Sequence, residues 1–391
     1  MSASQQALLA GALGAWVSLQ PSDSSTVPAS AASFFTSLVG GTFGFCAGVW
    51  PAGVTINATT GVLTGAPATG TYPGLCFTFT LPSGQVITTG TFTLTQVSLG
   101  YTWTARAVSS LWGDVASSND GVKLVAVTNS GTSQIYTSTD SGVTWTTRES
   151  ARNWSGIASS ADGVKLVACS SGVAAGSDFL RTSTDSGVSW TARDASRAWS
   201  GVASSSDGVK LLACRASEAS VPAGALYTSS DSGVTWTERI SGPNFQNVTS
   251  SSDGTLLAAS APLGQIYTSS DSGINWIARD SARDWRQIAM SADGTKLVAT
   301  VVSGNIYNSV DSGVTWTARD SARVWFGVTC SATGGKFIAN VSAGGIYVST
   351  DFGVTWTLTT SPTIAWRWMA ASSDGAKVVA ATFSNFIQTG V

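Results

Sequence analysis

The sequence predicts an all-β chain whose larger part is a seven-bladed β-propeller of four-stranded blades, and three observations carry that expectation. First, a core of Ser-x-Asp-x-Gly-x-Thr-Trp recurs at 138–145, 183–190, 229–236, 269–276, 309–316 and 349–356, with Ser or Asn for Thr in two copies. Its Trp residues stand 40 to 46 positions apart. Second, each unit holds four short β-runs, and four antiparallel strands in a repeat of about 40 residues make the blade of a propeller. Third, the repeat region opens with a lone fourth strand, Ser98 to Arg106, and closes with a third strand, Phe386 to Thr389. The two halves are expected to pair as one composite blade and close the ring, which removes the free sheet edges.

Taken in order, residues 1–19 read as an N-terminal arm or short helix. Ala7 to Val17 is apolar, but no basic residue precedes it as a secretory signal requires. No run in the chain reaches the roughly 18–20 apolar residues of a membrane helix. Residues 20–97 carry short β-runs separated by turns, with period-two alternation at 77–81 and 91–97. The string Pro-Ala-Gly-Val-x-Ile-Asn-x-x-Thr-Gly-Val-Leu-x-Gly-x-Pro at 51–67 resembles the signature of a bacterial Ig-like family of cadherin-like β-sandwiches. That resemblance implies a spacer or adhesion module over 20–97 with no chemistry of its own. Cys46 and Cys76 fall in runs that would be neighbouring strands. They read either as a cross-strand disulfide in an oxidising compartment or as two small buried hydrophobes.

The propeller occupies 98–391. Within a unit, the first two β-runs are joined by a tight Asp-Gly turn, at Asp120, Asp162, Asp207, Asp253, Asp293 and Asp374, with Thr333-Gly334 as a degenerate copy. A Trp opens the first run at 112, 154, 199, 285, 325 and 366, and Phe245 stands in its place once. The count gives seven blades. The repeat resembles the Asp-box, or bacterial-neuraminidase, repeat, and its period and number resemble seven-bladed propellers of the photosystem II assembly-factor type. In such boxes Asp140, Asp185, Asp231, Asp271, Asp311 and Asp351 are expected to accept hydrogen bonds from their own turns. The box Gly permits positive φ and the box Trp fills the gap between blades. No box offers the several acidic ligands that a calcium ion demands.

Composition narrows the chemistry. Charged residues make up 11% of the 391, against roughly 25% in an average soluble chain, and the net charge is −2. This argues against a polyanion-binding protein. Residues 1–105 contain one charged side chain, Asp23. The chain has no His, and its five Cys (46, 76, 169, 214, 330) lack metal-ligand spacing, so no metal or cofactor is expected. A His-dependent triad is excluded on the same ground. A sialidase would need an Arg-Ile-Pro motif ahead of the first box, and none is present. Five of the seven Tyr (136, 227, 267, 307, 347) are repeat-structural. Another glycosidase would need two opposed carboxylates, and Glu218, in the long loop 215–224, is the irregular acid to examine.

The Lys residues follow the Asp-Gly turns, and Arg106, Arg148, Arg193, Arg239, Arg279 and Arg319 follow the box Trp by three positions. Arg152-x-Trp154, Arg197-x-Trp199, Arg283-x-Trp285 and Arg323-x-Trp325 form a separate set, between the last strand of one blade and the first of the next. They are expected as a partial ring around the channel mouth on the face opposite the boxes. There they would stack on sugars or dock a protein. Alternatively each Arg pairs with the acid three residues earlier: Glu149, Asp194, Asp280 or Asp320. The longest loops, 170–178 and 215–224, emerge on that same face. The sequence reading is therefore a non-catalytic structural and recognition protein of a virion, phage or cell surface. Its propeller binds a protein or glycan, and its N-terminal region assembles with other subunits. The alternatives are a carbohydrate-active enzyme and an intracellular assembly factor with a protein partner.

Overall fold

The computed structural model describes the strand segments at 17–21, 42–45, 55–56, 63–64, 70–75, 77–80, 86–88 and 92–96, together with residue 58. It also describes residues 101–391 apart from 130–132, 150–151, 172–178, 195–196, 218–222 and 384. Glu218, Cys46, Cys76 and most of loop 170–178 lie outside the described residues. The main division of the chain falls between Gly100 and Tyr101.

In the N-terminal unit, Val17–Pro21, Phe92–Gln96 and Gly70–Leu75 make one three-stranded sheet in that order. Thr42–Phe45, Phe77–Thr80 and Val86–Thr88 make a second, and Thr55–Ile56 pairs with Leu63–Thr64. Val17–Pro21 straddles the boundary between the stretch expected as an arm or helix, 1–19, and the expected sandwich. Its alternation Val-Ser-Leu-Gln suits a strand, and it pairs antiparallel with Phe92–Gln96 from Val17 opposite Gln96.

The propeller has seven four-stranded antiparallel sheets, as the repeat count requires. The blades span 112–148, 154–193, 199–242, 247–283, 285–323 and 325–358, and the seventh is composite. In it, Asn385–Gly390 pairs with Trp103–Ser110, with Thr389 opposite Thr104 and Gly390 opposite Trp103. Thr102 N–H also donates to the Val391 carbonyl at 2.8 Å.

The core lies between blades. Second strands such as Leu166–Ser170 are buried along their whole length. Leu166 and Ala168 face the first blade's Ile135 and Val127, while Val167 and Cys169 face the third blade's Trp199 and Val202. A strand covered on both sides reads in sequence as an unbroken apolar run, which is why KLVACS lacks alternation. The first strands are bulged just after the opening Trp in six blades. A bulge re-aims the side chains on either side of it. The Trp turns into the gap between blades, and the residue after it is left half-buried in five of the six, Gly113 being buried.

The Asp-Gly turns are stitched into a closed belt of backbone hydrogen bonds. Asn119 N–H donates to Ala161, Ala161 to Ser206, Ser206 to Ser252 and Ser252 to Ala292. Ala292 continues to Ala332, Ala332 to Ser373, and Ser373 N–H returns to the Asn119 carbonyl, each bond at 2.7–2.8 Å. The lysines after these turns reach the next blade. Lys123, Lys165 and Lys210 donate to Ser186, Ser232 and Ser272, each a box serine at positive φ. These cations are thus committed to the fold.

The six Ser-x-Asp-x-Gly turns share one bonding scheme, seen in the third blade. Ser229 Oγ and Thr235 N–H donate to Asp231 Oδ1 at 2.8 and 2.9 Å, and Thr235 Oγ1 donates to Oδ2 at 2.6 Å. Gly233, at φ 82°, donates its N–H to Ser229 Oγ, and Trp236 Nε1 donates to the Gly233 carbonyl. Hydroxyl and amide donors hold Asp140, Asp185 and Asp231 down at about 2. A carboxyl lowered in the folded state contributes stability that is present above pH 4 and lost as pH falls through 2. Asp231→Ala is therefore expected to cost about 1 kcal/mol at neutral pH, kept small by solvent screening. The deficit should shrink towards pH 2 in parallel urea titrations, and a deficit constant down to pH 2 would show that the charge contributes nothing.

Candidate functional site

In each blade the first strand is innermost, and the first strands of successive blades adjoin one another around the ring. The Asp-Gly and Ser-x-Asp turns close one end of every sheet. The other end carries the second-to-third-strand loops and the links between blades, so the Arg-x-Trp segments lie on the face opposite the Asp turns.

There the ion-pair alternative prevails for three of the four segments. Arg197, Arg283 and Arg323 bond Asp194, Asp280 and Asp320 through Nε at 3.3, 3.4 and 3.3 Å. Each guanidinium also lies over a tyrosine of the following blade, at 4.9 Å from Tyr227, 4.5 Å from Tyr307 and 4.8 Å from Tyr347. Each acid sits at positive φ, the bend that turns its carboxylate back onto the arginine. Glu149 also has positive φ, and it pairs with Arg181 at 3.1 Å. Arg181 occupies the third-strand position held by Tyr in neighbouring blades.

The indoles do not line the mouth. Trp154, Trp199, Trp285 and Trp325 are each 0% exposed. Trp199, Trp285 and Trp325 pack edge-on against the third-strand tyrosines, as Trp285 does on Tyr307 at 5.1 Å, and Trp199 and Trp285 tilt against their box indoles, Trp285 on Trp316 at 5.9 Å. Trp154 packs among Val127, Ile135 and Leu166. The expectation that these four Trp would stack on sugar rings is therefore corrected: the bulge after each Trp rotates it into the inter-blade core.

The positions that face the channel are those just after the opening Trp. Two blades carry the repeat consensus there, Ser155-Gly156 and Ser200-Gly201, and their Ser hydroxyls bond the next blade's backbone. The other blades depart from it. Asp114 Oδ2 accepts Ile157 N–H of the second blade at 3.0 Å and Oδ1 accepts Val115 N–H at 2.8 Å. Asn247 and Gln287 make the same cross-blade bond with amide oxygens, to Ile288 and Val328. Burial pushes the Asp114 carboxyl up to about 7 against the pull of its two N–H donors.

Blades five to seven hold the most distinctive group: Arg286, Phe326 and Arg367, one at the same position in each. The Arg286 guanidinium lies 4.2 Å from the Phe326 ring centre, and that of Arg367 lies 4.8 Å from Phe383. Trp368 meets Phe326 edge to face at 5.5 Å. The same face exposes Leu111, Leu263, Val324, Phe383 and Phe386. The reading of the repeats passed over this group because it belongs to neither arginine set. Its visible signal was the loss of Ser-Gly after the opening Trp. Among the described residues no three His, Cys, Asp or Glu side chains come together as metal ligands. The free thiols of Cys169 and Cys214 are buried, and burial pushes both upward.

No family model and no curated protein matches this sequence. Solved structures do. YCF48 from Cyanidioschyzon merolae superposes with a TM-score of 0.57 at 16% identity, over 74% of this chain and 98% of that one. YCF48 bound to a D1 peptide gives 0.59 at 14% identity, over 75% and 98%. The GH74 enzyme of Niastella koreensis gives 0.52 at 18% identity, over 84% of this chain and 47% of that one. At these identities the likeness is one of fold, and what it establishes is an all-β, seven-bladed propeller of four-stranded blades.

Proposed function

We propose that this chain is a non-catalytic recognition protein that holds a partner protein through the propeller face opposite the Ser-x-Asp turns. The observation that carries this reading is the side-chain population of that face. Leu263 is 81% exposed and Phe383 51%, and Leu111, Val324 and Phe386 join them beside half-buried arginines. Exposed apolar groups next to arginine are the usual material of protein interfaces. The turn face also exposes Val143, Val188, Val234, Ile274, Val314 and Val354 at one repeated box position, with Val310 and Phe352 beside two of them, but Phe352 lies under the Lys296 ammonium. Burial of the four indoles takes away the stacking platforms a glycan would use, which favours a protein partner. Asp194, Asp280 and Asp320 are engaged in ion pairs, which supports a non-catalytic role.

The finer readings follow the same line. The turn geometry supports an Asp-box repeat, and the period-two strands before it support an Ig-like spacer. One charged residue in the first 105 supports a chain packed among other subunits of a virion, tail fibre or cell surface. YCF48, which shares the fold, has a solved structure bound to a D1 peptide, so a propeller of this shape accommodates a polypeptide ligand.

The test compares Leu263→Asp/Phe383→Asp with Val143→Asp/Val234→Asp in cross-linked capture from the source particles or cells. A glycan array and a panel of fluorogenic glycosides run in parallel. The first variant is expected to lose the partner and the second to keep it, with no glycoside turned over. Turnover, or loss of the partner only on the turn face, would overturn the reading.

A further inference from the structure

Four arginines stand outside the repeat-locked and Arg-x-Trp sets: Arg181, Arg215, Arg286 and Arg367. Arg181 has its carboxylate, and Arg215 is buried in the third blade. Arg286 and Arg367 differ from both. They flank Phe326 from the neighbouring blades, with guanidinium carbons 4.2 and 5.7 Å from its ring centre. Neither has an ion pair among the described residues, and the buried Nε of each lacks a hydrogen-bond partner, as does that of Arg181 and of Arg215; what sets the two apart is the shared ring between them. Arg367 Nη1 makes one long bond, 3.5 Å to the Trp112 carbonyl. Asp284 is the acid whose field reaches Arg286, whereas Arg367 feels the positive charge of Arg286. Burial, and for Arg367 this like charge after it, draws both guanidinium groups below their ordinary value.

Two like charges around one phenyl ring, with Asp284 near one of them and no acid in ion-pair contact with either, are an unfavourable arrangement that a bound anion would relieve. A guanidinium stacked on a ring face still presents its N–H rim in plane, in the fork that suits a carboxylate. Two such groups are too few for a polyanion, whose binding relies on many dispersed cations. The exposed Leu111, Phe383 and Phe386 beside the mouth suit apolar groups on either side of the anion. We infer that Arg286, Phe326 and Arg367 form a receptor for one carboxylate side chain of the partner, a Glu or Asp in an apolar-flanked segment. This rests on the reading that this face binds a protein, and it specifies the chemistry that face selects.

The test is selection of a random displayed decapeptide library on the whole protein, followed by synthesis of the enriched peptides. Enriched sequences are expected to carry Glu or Asp between apolar residues. Changing that acid to its amide should weaken binding to the wild-type protein roughly tenfold or more. Arg286→Gln and Arg367→Gln should do the same, provided their melting matches wild type. The amide peptides keep the test valid if either variant fails to fold. If binding is lost in Phe383→Asp but is indifferent to the acid and to both arginines, this inference fails while the proposed function stands. If peptides bind without any dependence on Phe383, Leu111 or the arginines, both fail. Displacement by millimolar phosphate, but not by acetate at the same concentration, would overturn the carboxylate assignment in favour of a phosphate site.

Discussion

Deleting residues 385–391 is expected to abolish cooperative unfolding of the propeller. Asn385–Gly390 is the third strand of the composite blade, bonded to Val378–Thr382 on one side and to Trp103–Ser110 on the other. Without it, Trp103–Ser110 has no sheet to join and two strand edges open to solvent, which invites pairing with other chains. Ile387 is fully buried against Trp112 and Leu124 of the first blade, and losing that side chain alone costs about 2–5 kcal/mol. A domain's whole stability is about 5–15 kcal/mol, so losing the side chain, its strand's ladder and the ring closure together exceeds what the fold can absorb. Circular dichroism melts and size-exclusion chromatography provide the check. The truncated chain should melt without a sharp transition and elute as aggregates, and Ile387→Ala should melt cooperatively at a lower temperature. A truncated protein that melts sharply near the wild-type temperature would show that the belt of Asp-Gly turns holds the ring unaided.

The architecture was legible because each blade repeats the same local solution. Six Ser-x-Asp-x-Gly turns, six Asp-Gly turns and the Thr333-Gly334 copy fix strand number and order before any tertiary contact is considered. What escaped was what the repeat does not encode in side chains. The belt from Asn119 round to Ser373 is made of backbone groups, so no residue type announces it. The opening Trp residues read as surface aromatics because they begin a strand next to an arginine. The bulge that turns them inward is visible only as a register shift against the second strand. The ion pair of each Arg-x-Trp segment was readable from spacing alone in three blades. Glu149 bonds Arg181 of the second blade, which stands where five blades have a tyrosine, and spacing alone does not announce that pair. Arg286 and Arg367 were each legible as departures from Ser-Gly. That they flank one phenyl ring depends on blades five to seven being neighbours around the channel, which only the closed ring supplies.

Asp114 gives the second large effect, with a sign opposite to that of the box aspartates. Its folded-state carboxyl is pushed up to about 7 from an ordinary 3.8 by burial, so the folded protein binds its proton more tightly than the unfolded chain. The contribution is therefore fully present below pH 4 and is lost as pH rises through 7. A shift of that size corresponds to about 2–4 kcal/mol above pH 8, since each pH unit is worth about 1.36 kcal/mol and the carboxyl retains some solvent contact. Asn247 and Gln287 show that an amide oxygen makes the same cross-blade bond with no charge to desolvate. Asp114→Asn is accordingly expected to stabilise the propeller at pH 8 and to match wild type near pH 4. The gain is reduced by about 1 kcal/mol because one of the two N–H donors, Val115 or Ile157, loses its acceptor. Chemical denaturation of both proteins at half-unit steps from pH 4 to 9 measures the difference directly. The curves should part between pH 4 and 7 and run parallel above 8. Curves that coincide across the whole range would mean that water in the channel solvates the carboxylate and that the inter-blade bond, rather than the charge, decides what residue 114 contributes.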